Sequence, residues 1–169
     1  MIYTLGHSTR SFEEFLSILK KFKIELIVDV RRFPSSKKFP WFSKEFLEKE
    51  LKQNNIQYIH FGELGGFRRE GYENFSKSEE FKRAIDKLIK LIQNKNAAIF
   101  CSERLWFRCH RRYIAKALVE RGIKVIHIFD ANKTQEHKLK DKEIEEKMKL
   151  RLYCDKKAKK LFNQIMNQT

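Results

Sequence analysis

The stretch AAIFCSERLWFRCHRRYIAKALVERGIKVIHIF, residues 97–129, carries a strand, a helix and a second strand in succession. The apolar run that ends at Cys101 predicts a buried strand, and residues 123–129 predict another. Between them, apolar residues at helical spacing predict a helix that ends at Gly122. Because the two strands are joined through a helix, we expect a crossover connection, with both strands parallel in one sheet.

Three earlier segments extend this pattern toward the start of the chain. IYTLG (2–6), IELIVDVRRFP (24–34) and IQYIHF (56–61) are predicted strands, and helical spacing lies between them. Ser11 and Glu14 have the spacing of a capping box at the start of the first helix. The sequence therefore predicts an α/β fold with a mainly parallel sheet of about five strands flanked by helices.

Polar and reactive residues follow one predicted strand after another. Ligands of such folds bind outside the carboxyl ends of the strands, so these residues should share one rim of the sheet. The rim residues are His7, Ser8 and Arg10 after the first strand, Asp29 and Arg31 after the second, Gly65 and Gly66 after the third, and Cys101, Glu103, Cys109, His110 and Arg111 after the fourth.

Composition indicates one domain and a polyanionic partner. The chain has 169 residues and a formal net charge of +15, spread over residues 1–130 and over a charged, mostly helical extension at 131–169. A basic surface attracts nucleic acid by releasing its counterions, although a lysine-rich composition also arises from adaptation to heat. The sequence contains no apolar run long enough to span a membrane, and its start does not have the pattern of a signal peptide. We therefore predict a cytoplasmic protein without a membrane partner.

The cysteines admit two interpretations. Three cysteines do not form a disulfide framework, so Cys101 and Cys109 are either packed core thiols or reactive groups. Cys109 is predicted at a helix start, where the helix dipole stabilises a thiolate. No metal or cofactor is predicted, because Cys-x7-Cys-His lacks the close pairing of zinc thiolates and because adjacent Cys109 and His110 should point apart on a helix.

Two carboxylates on the predicted rim, Asp29 and Glu103, are candidates for general acid and base catalysis. Arg10, Arg31 and Arg111 would then hold phosphate groups, together with His7, Ser8, Gly65 and Gly66. The alternative is that the carboxylates only form ion pairs with the arginines of the rim. Sequence alone leaves both interpretations open.

Two loops combine cations with aromatic rings, as proteins that bind single-stranded nucleic acid do. The predicted contact residues are Arg32, Lys37, Lys38, Trp41, Arg68 and Arg69, in RRFPSSKKFPWF (31–42) and GGFRREGY (65–72). The alternative is that the aromatic residues anchor these loops to the domain while the charges face water.

The order of a strand, a cysteine, a loop and a helix that carries arginines is also similar to the anion-binding loop of rhodaneses and cysteine phosphatases. Such loops close within four or five small residues, because backbone amides must surround the anion. Here SERLWF (102–107) intervenes, and its bulky and acidic side chains are expected to block that cradle.

Four segments together resemble the DUF488 family, a domain of unknown function. They are TLGHSTRSFEEFL, LIVDVRRFPSSKKFPWF, IQYIHFGELGG and CSERLWFRCHRRYIAKALVERGIKVIHI, which carry GHS-x-R, VDVR-x-x-P, LGG and C-x-E-x5-CHR within residues 1–130. The resemblance implies an α/β domain whose signature positions are the rim residues, and it implies no particular reaction.

Three functional hypotheses follow from these patterns. The first is an enzyme that hydrolyses or transfers groups on nucleic acid or nucleotides, with Asp29, Glu103, Cys101, Cys109 and His110 in the catalytic site. The second is a rhodanese-like sulfur-transfer or redox enzyme that uses Cys101 or Cys109 as its nucleophile. The third is a nucleic-acid-binding module without catalysis.

Overall fold

A computed structural model describes residues 1–140, 142–143, 151, 155–160 and 164. Its first compact unit, Met1–His137, contains a six-stranded sheet. The strands are β1 (Ile2–Gly6), β2 (Leu26–Asp29), β3 (Gln57–His60), β4 (Ala97–Cys101), β5 (Val125–Asp130) and β6 (Lys133–Glu136), in the spatial order β3-β2-β4-β1-β5-β6. All neighbours pair in parallel except β5 and β6. The predicted α/β fold with a mainly parallel sheet is confirmed.

The sixth strand was not predicted. β6 consists of the polar sequence KTQE, and all four of its residues are exposed, so it carries no apolar pattern. It follows β5 through a tight turn in which Asn132 donates its backbone N–H to Asp130 Oδ1 at 2.8 Å. Antiparallel pairing with β5 therefore depends on this turn and on backbone hydrogen bonds rather than on burial.

Five α-helices of the first unit, all of whose residues the structure describes, connect or cover the strands. They are α1 (Phe12–Lys21), α2 (Lys44–Gln53), α3 (Tyr72–Ser76), α4 (Glu79–Ile92) and α5 (Arg111–Glu120). The Ser11 hydroxyl accepts from the Glu14 backbone N–H at 3.1 Å, which confirms the predicted start of α1. Ser78 caps α4 in the same way through the N–H of Phe81.

The core lies on both faces of the sheet. All four residues of β2 are buried, which explains its continuous apolar run before Asp29. On one face Val28 packs with Ile85 of α4 and Leu118 of α5. On the other, residues of β1 and β4 pack with α1 and α2. Each fully buried aliphatic side chain contributes about 1.5–3 kcal/mol, and this packing holds the carboxyl ends of the strands in fixed positions.

The second compact unit comprises Lys138–Thr169, most of which lies outside the described residues. Residues 155–160 are helical and exposed. The strand β6 lies within the predicted helical extension 131–169 but belongs to the first unit. Among the described residues, no helix has the length and apolar character needed to cross a membrane.

Candidate functional site

The ends of β1 and β4 meet at the rim with very little space between them. The backbone N–H of His7 donates to the Cys101 carbonyl oxygen at 2.9 Å, and the N–H of Ser8 donates to the Ser102 carbonyl oxygen at 2.9 Å. A Cβ atom at Gly6 would lie 1.9 Å from the Glu103 carbonyl oxygen. Glycine is therefore required here, because any side chain would push the cysteine-bearing loop away from β1.

A cavity of about 590 Å³ opens at this rim, above the carboxyl ends of β1, β2 and β4. Its size is typical of sites that hold a small organic ligand. Its lining combines thiols, cations and aromatic rings with a single carboxylate: His7, Arg31, Arg32, Phe33, Ser35, Ser36, Lys38, Phe39, Gly66, Phe67, Arg68, Tyr72, Cys101, Ser102, Glu103, Arg108, Cys109 and His110.

Three polar groups converge on the sulfur of Cys109 at the floor of the cavity. Arg111 Nε donates to Cys109 Sγ at 3.3 Å, and His110 Nδ1 lies 3.7 Å from the same sulfur. The Cys101 thiol also approaches it, since the ligand atoms of Cys101, Cys109 and His110 all lie within 4.8 Å of one another. Cys109 remains 7 % exposed, so this sulfur borders the cavity and is not sealed in the core.

These neighbours favour the thiolate form of Cys109. Hydrogen bonding from Cys101, then from His110, and the charge of Arg111 lower the pKa of the Cys109 thiol despite its burial. The same hydrogen bond, with burial, raises the pKa of Cys101, which therefore keeps its proton and acts as the donor. The pair thus divides into one thiolate and one thiol.

His110 is held in one orientation. Its Nε2 lies 2.9 Å from the Val30 carbonyl oxygen. A carbonyl oxygen only accepts, so Nε2 carries its hydrogen, and Nδ1 faces the sulfur. The Tyr72 ring packs 4.9 Å from the imidazole, and a Cβ atom at Gly66 would lie 3.2 Å from His110 Nδ1. Gly66 therefore gives the imidazole the space it needs.

The predicted divergence of Cys109 and His110 was wrong. Cys109 has extended backbone angles and His110 is the N-cap residue, so α5 begins only at Arg111. Because neither residue lies within the helix, the helical argument for separate directions does not apply to them. Their side chains instead meet at the sulfur.

Cys101, Cys109 and His110 form the one group of potential metal ligands found among the described residues. The trio supplies three donor atoms, but the Arg111 guanidinium also contacts the Cys109 sulfur. A fixed positive charge at that distance opposes the binding of a cation and favours a bare thiolate. The donor set therefore suits a reactive sulfur better than a metal centre.

The bulky residues between the two cysteines do not fill the cavity. The Trp106 ring stacks on His127 at a centroid distance of 4.1 Å, on the side of the sheet edge formed by β5 and β6. Only Ser102, Glu103 and Arg108 of this segment line the cavity. The bulky side chains of SERLWF therefore do not obstruct this space as expected, whereas its acidic residue Glu103 does line it.

Asp29 lies beneath the cavity in a closed hydrogen-bond network. Arg31 donates to Asp29 through Nε, at 2.9 and 3.1 Å, and through a terminal nitrogen at 2.6 Å. The Tyr58 hydroxyl donates to Asp29 Oδ2 at 2.5 Å. The carboxylate is 0 % exposed and does not line the cavity. The structure thus brings Asp29 and Arg31 together as an ion pair, with Arg31 also 4.9 Å above the Phe100 ring.

Glu103, the other predicted catalytic carboxylate, lies on the wall of the cavity and is exposed. Its Oε1 accepts from the Leu105 backbone N–H at 3.0 Å, and its backbone carbonyl accepts from Arg111. Arg111 is buried and does not line the cavity. Its guanidinium acts on the site only by its hydrogen bond to the Cys109 sulfur.

Of the three predicted phosphate-binding residues that follow β1, one lines the cavity and two do not. His7 lines the cavity, but burial lowers its pKa to about 4, so it is neutral at pH 7, and it stacks on Phe42. Ser8 and Arg10 do not line the cavity. Arg10 is buried, bonded to the Phe129 carbonyl and to Glu14, and its Nε has no partner.

Gly65 packs against the neighbouring loop and does not face the cavity. A Cβ atom at this position would lie 2.8 Å from Arg32 Cα, so the glycine allows the two loops to touch. Of the predicted glycine pair, only Gly66 lines the cavity, where it faces His110.

The predicted nucleic-acid contacts include both cavity residues and anchors. Arg32, Lys38 and Arg68 line the cavity, whereas Lys37 and Arg69 are exposed outside it. Trp41 anchors its loop, because its Nε1 donates to the Arg10 carbonyl at 2.9 Å.

Several residues of the site were not predicted from the sequence, among them Ser35 and Ser36 of the cavity lining. Tyr58 lies on β3 two positions before His60, the residue that pairs with Asp29. Side chains two positions apart on a strand lie on the same face, and this spacing was the signal that Tyr58 shares a face with Asp29. Phe67 stands in a loop without periodicity, so no pattern pointed to it. Arg108 is an exposed cation of the cavity wall and is not among the predicted rim residues.

Comparison with known proteins identifies a family but no activity. A search of curated proteins found no match to the chain. A search of solved structures found none either. The family model described as domain of unknown function DUF488 matches residues 11–118, which is more than half of the chain and includes Asp29, Cys101, Cys109 and His110. The chain therefore belongs to the DUF488 family.

Proposed function

We propose that this protein is a thiol-dependent enzyme in which Cys109 is the nucleophile and the substrate is an anion. The observation that carries the proposal is the convergence of His110, Arg111 and Cys101 on one sulfur at the floor of a cation-lined cavity. A nucleophile next to a base, with the base oriented by a third group, is the general arrangement of covalent catalysis. Here the third group is the Val30 carbonyl.

The proton of the Cys109 thiol moves to His110 Nδ1, the one imidazole nitrogen that is available. Nε2 keeps its hydrogen on the Val30 carbonyl, so protonation at Nδ1 yields an imidazolium next to the thiolate. The Arg111 guanidinium and the Cys101 thiol donate to the negative sulfur and keep it ionised at neutral pH.

The thiolate then attacks an electrophilic phosphorus or sulfur atom of the anionic substrate. A bond forms between Cys109 Sγ and that atom, and the bond to the leaving group breaks with its electron pair. The Nδ1 hydrogen of His110 passes to the leaving group. Water or a second acceptor then takes the transferred group from the sulfur and restores the thiolate.

The cations of the cavity favour a nucleotide or nucleic acid as the anion. Arg32, Lys38 and Arg108 surround the entrance, and Glu103 is the one carboxylate in the lining. A catalytic pair of Asp29 and Glu103 has less support, because the Asp29 oxygens are engaged by Arg31 and Tyr58. We assign Asp29 the role of a positioning residue that fixes Arg31 against the cavity.

Iodoacetamide alkylation as a function of pH tests the proposal, with mass spectrometry reporting each cysteine separately. We expect Cys109 to be alkylated at pH values far below the ordinary thiol pKa of about 8.5, and Cys101 to resist. The urea-unfolded chain supplies the unperturbed reference, and the Cys154→Ser variant removes the remaining thiol. Alkylation of native Cys109 that rises only through about pH 8.5 would contradict the proposal and leave a binding module without catalysis.

A further inference from the structure

We propose that the mouth of the cavity binds an unpaired stretch of single-stranded nucleic acid, with a base stacked on Phe33 and Phe67 and its phosphates held by Arg32, Lys38 and Arg108. The two phenylalanines are called the Phe33–Phe67 lip below. This inference rests on the proposed function and names the substrate class of the same site.

The first support is the exposure of the two rings. The Phe33 side chain is 65 % exposed and that of Phe67 is 84 % exposed, although most of the large apolar residues of the first unit are buried. Scattered apolar side chains are ordinary on a surface. These two come from different loops, one after β2 and one after β3, and still meet with ring centroids 6.3 Å apart. Both also line the cavity above Cys109.

The second support is the backbone that holds Phe67. Its φ of 57° lies in the left-handed region, which a bulky residue rarely adopts. The conformation is maintained by Arg32, which donates to the Phe67 carbonyl at 2.6 Å, and by Arg68, which donates to the Gly65 and Glu63 carbonyls. Because core packing of the ring does not explain this conformation, we infer that it presents the ring to a ligand.

The third support is the pattern of charge around the lip. The Arg32 guanidinium lies 5.8 Å over the Phe33 ring, and Lys38 Nζ lies 5.5 Å over Phe39. Arg108 is exposed and lines the same cavity. Rings for stacking next to cations for phosphates are the combination with which proteins bind unpaired strands. An acidic peptide would satisfy the cations, but it would leave the rings without planar partners.

The dimensions favour an unpaired base over a duplex. The cavity of about 590 Å³ has room for a small organic group but not for paired strands. Bases in a duplex are already stacked on each other and are not free to cover the Phe33–Phe67 lip. A single strand therefore matches both the lip and the cavity beneath it, and it would place a phosphate group near the Cys109 sulfur.

Fluorescence anisotropy with a labelled 12-nucleotide oligothymidine tests the inference, using the full chain at two or more salt concentrations. We expect F33A/F67A to weaken binding about tenfold or more, as loss of base stacking does. Phe107→Ala is the matched control, because Phe107 is 45 % exposed but lies outside this cavity. Its affinity should remain that of the unchanged protein.

Two further variants separate this inference from the proposed catalysis. Cys109→Ser should bind the strand no more weakly than the unchanged protein, since the serine hydroxyl removes a negative charge near the phosphate and leaves the Phe33–Phe67 lip intact. Lys38→Gln should reduce the slope of log affinity against log salt by about 0.7, the value for one phosphate contact on a single strand. Equal binding by F33A/F67A and Phe107→Ala, or preference for the duplex over the single strand, would overturn the inference while leaving the alkylation result for Cys109 intact.

Discussion

Two pairs of an anion and an arginine lie at the same rim with the same spacing, and in only one of them does the anion face the cavity. Asp29 is followed by Arg31, and Cys109 by Arg111, each two positions on. In the first pair both carboxylate oxygens are engaged and the carboxylate is fully buried. In the second pair the sulfur receives donors from three sides but still borders the cavity. The difference shows that access to solvent, more than the residue types, separates a structural pair from a reactive one.

The largest expected effect is the loss of the Asp29 charge. Asp29→Asn leaves Arg31 buried without its counterion, so the free energy of unfolding should fall by about 3–5 kcal/mol in urea titration. Asp86→Asn is the control, because Asp86 pairs with Arg121 at 3.4 Å on the surface. That exposed pair should contribute less than about 1 kcal/mol. Equal losses in the two variants would refute a special role for the buried pair.

The hydroxyl of Tyr58 should have the next largest effect. Tyr58→Phe removes the 2.5 Å hydrogen bond to Asp29 Oδ2, and a hydrogen bond to a charged group contributes about 1.5–3 kcal/mol. Urea unfolding measures the change. Tyr3→Phe, on β1, is the comparison variant and should retain the original stability. An unchanged free energy of unfolding in Tyr58→Phe would mean that Arg31 alone satisfies the carboxylate.

At the cysteine pair, the imidazole should be the sensitive group. His110→Gln removes a group that lowers the pKa of Cys109, so alkylation near pH 6 should slow by about tenfold, or about 1.4 kcal/mol. His60→Gln is matched to it, because His60 Nε2 also contacts a backbone carbonyl, that of Arg31 at 2.7 Å, but His60 does not line the cavity. Alkylation rates of Cys109 that change equally in both variants would argue against a catalytic pair of Cys109 and His110.

The smallest effect is a pH dependence of stability from the two thiols. From neutral pH up to about 8.5 the unfolded chain holds a proton on each thiol. The folded site holds as many, because Cys101 keeps its own proton and the proton of Cys109 lies on His110 Nδ1 in the proposed ion pair. The contribution of the two thiols to stability is therefore flat with pH in this range. Above about 8.5 the unfolded thiols lose both protons while Cys101 keeps its proton in the folded chain, so stability falls.

Urea unfolding at a series of pH values should thus show a plateau up to about pH 8.5, and a decline above it, in the difference between the unchanged protein and C101A/C109A. Taking the difference cancels the contribution of Cys154, which both chains contain. A difference that is flat with pH would mean that the two thiols titrate as they do in the unfolded chain.

Much of the fold follows from local patterns. Apolar runs located β1 to β5, and capping spacing located the start of α1. β6 was missed because a polar edge strand pairs through its backbone and needs no apolar signal. The start of α5 was misplaced by two residues, and that small error reversed the expected directions of Cys109 and His110.

By itself the sequence determined which residues reach the rim, because parallel strands deliver the residues that follow them to one edge of the sheet. It could not determine how deep each residue lies below that edge. In the sequence, Asp29 and Cys109 are equally candidates for the catalytic site. Only the tertiary packing engages Asp29 with Tyr58 and leaves Cys109 facing the cavity. The physical reason is that burial and partners, which set reactivity, come from segments distant in sequence.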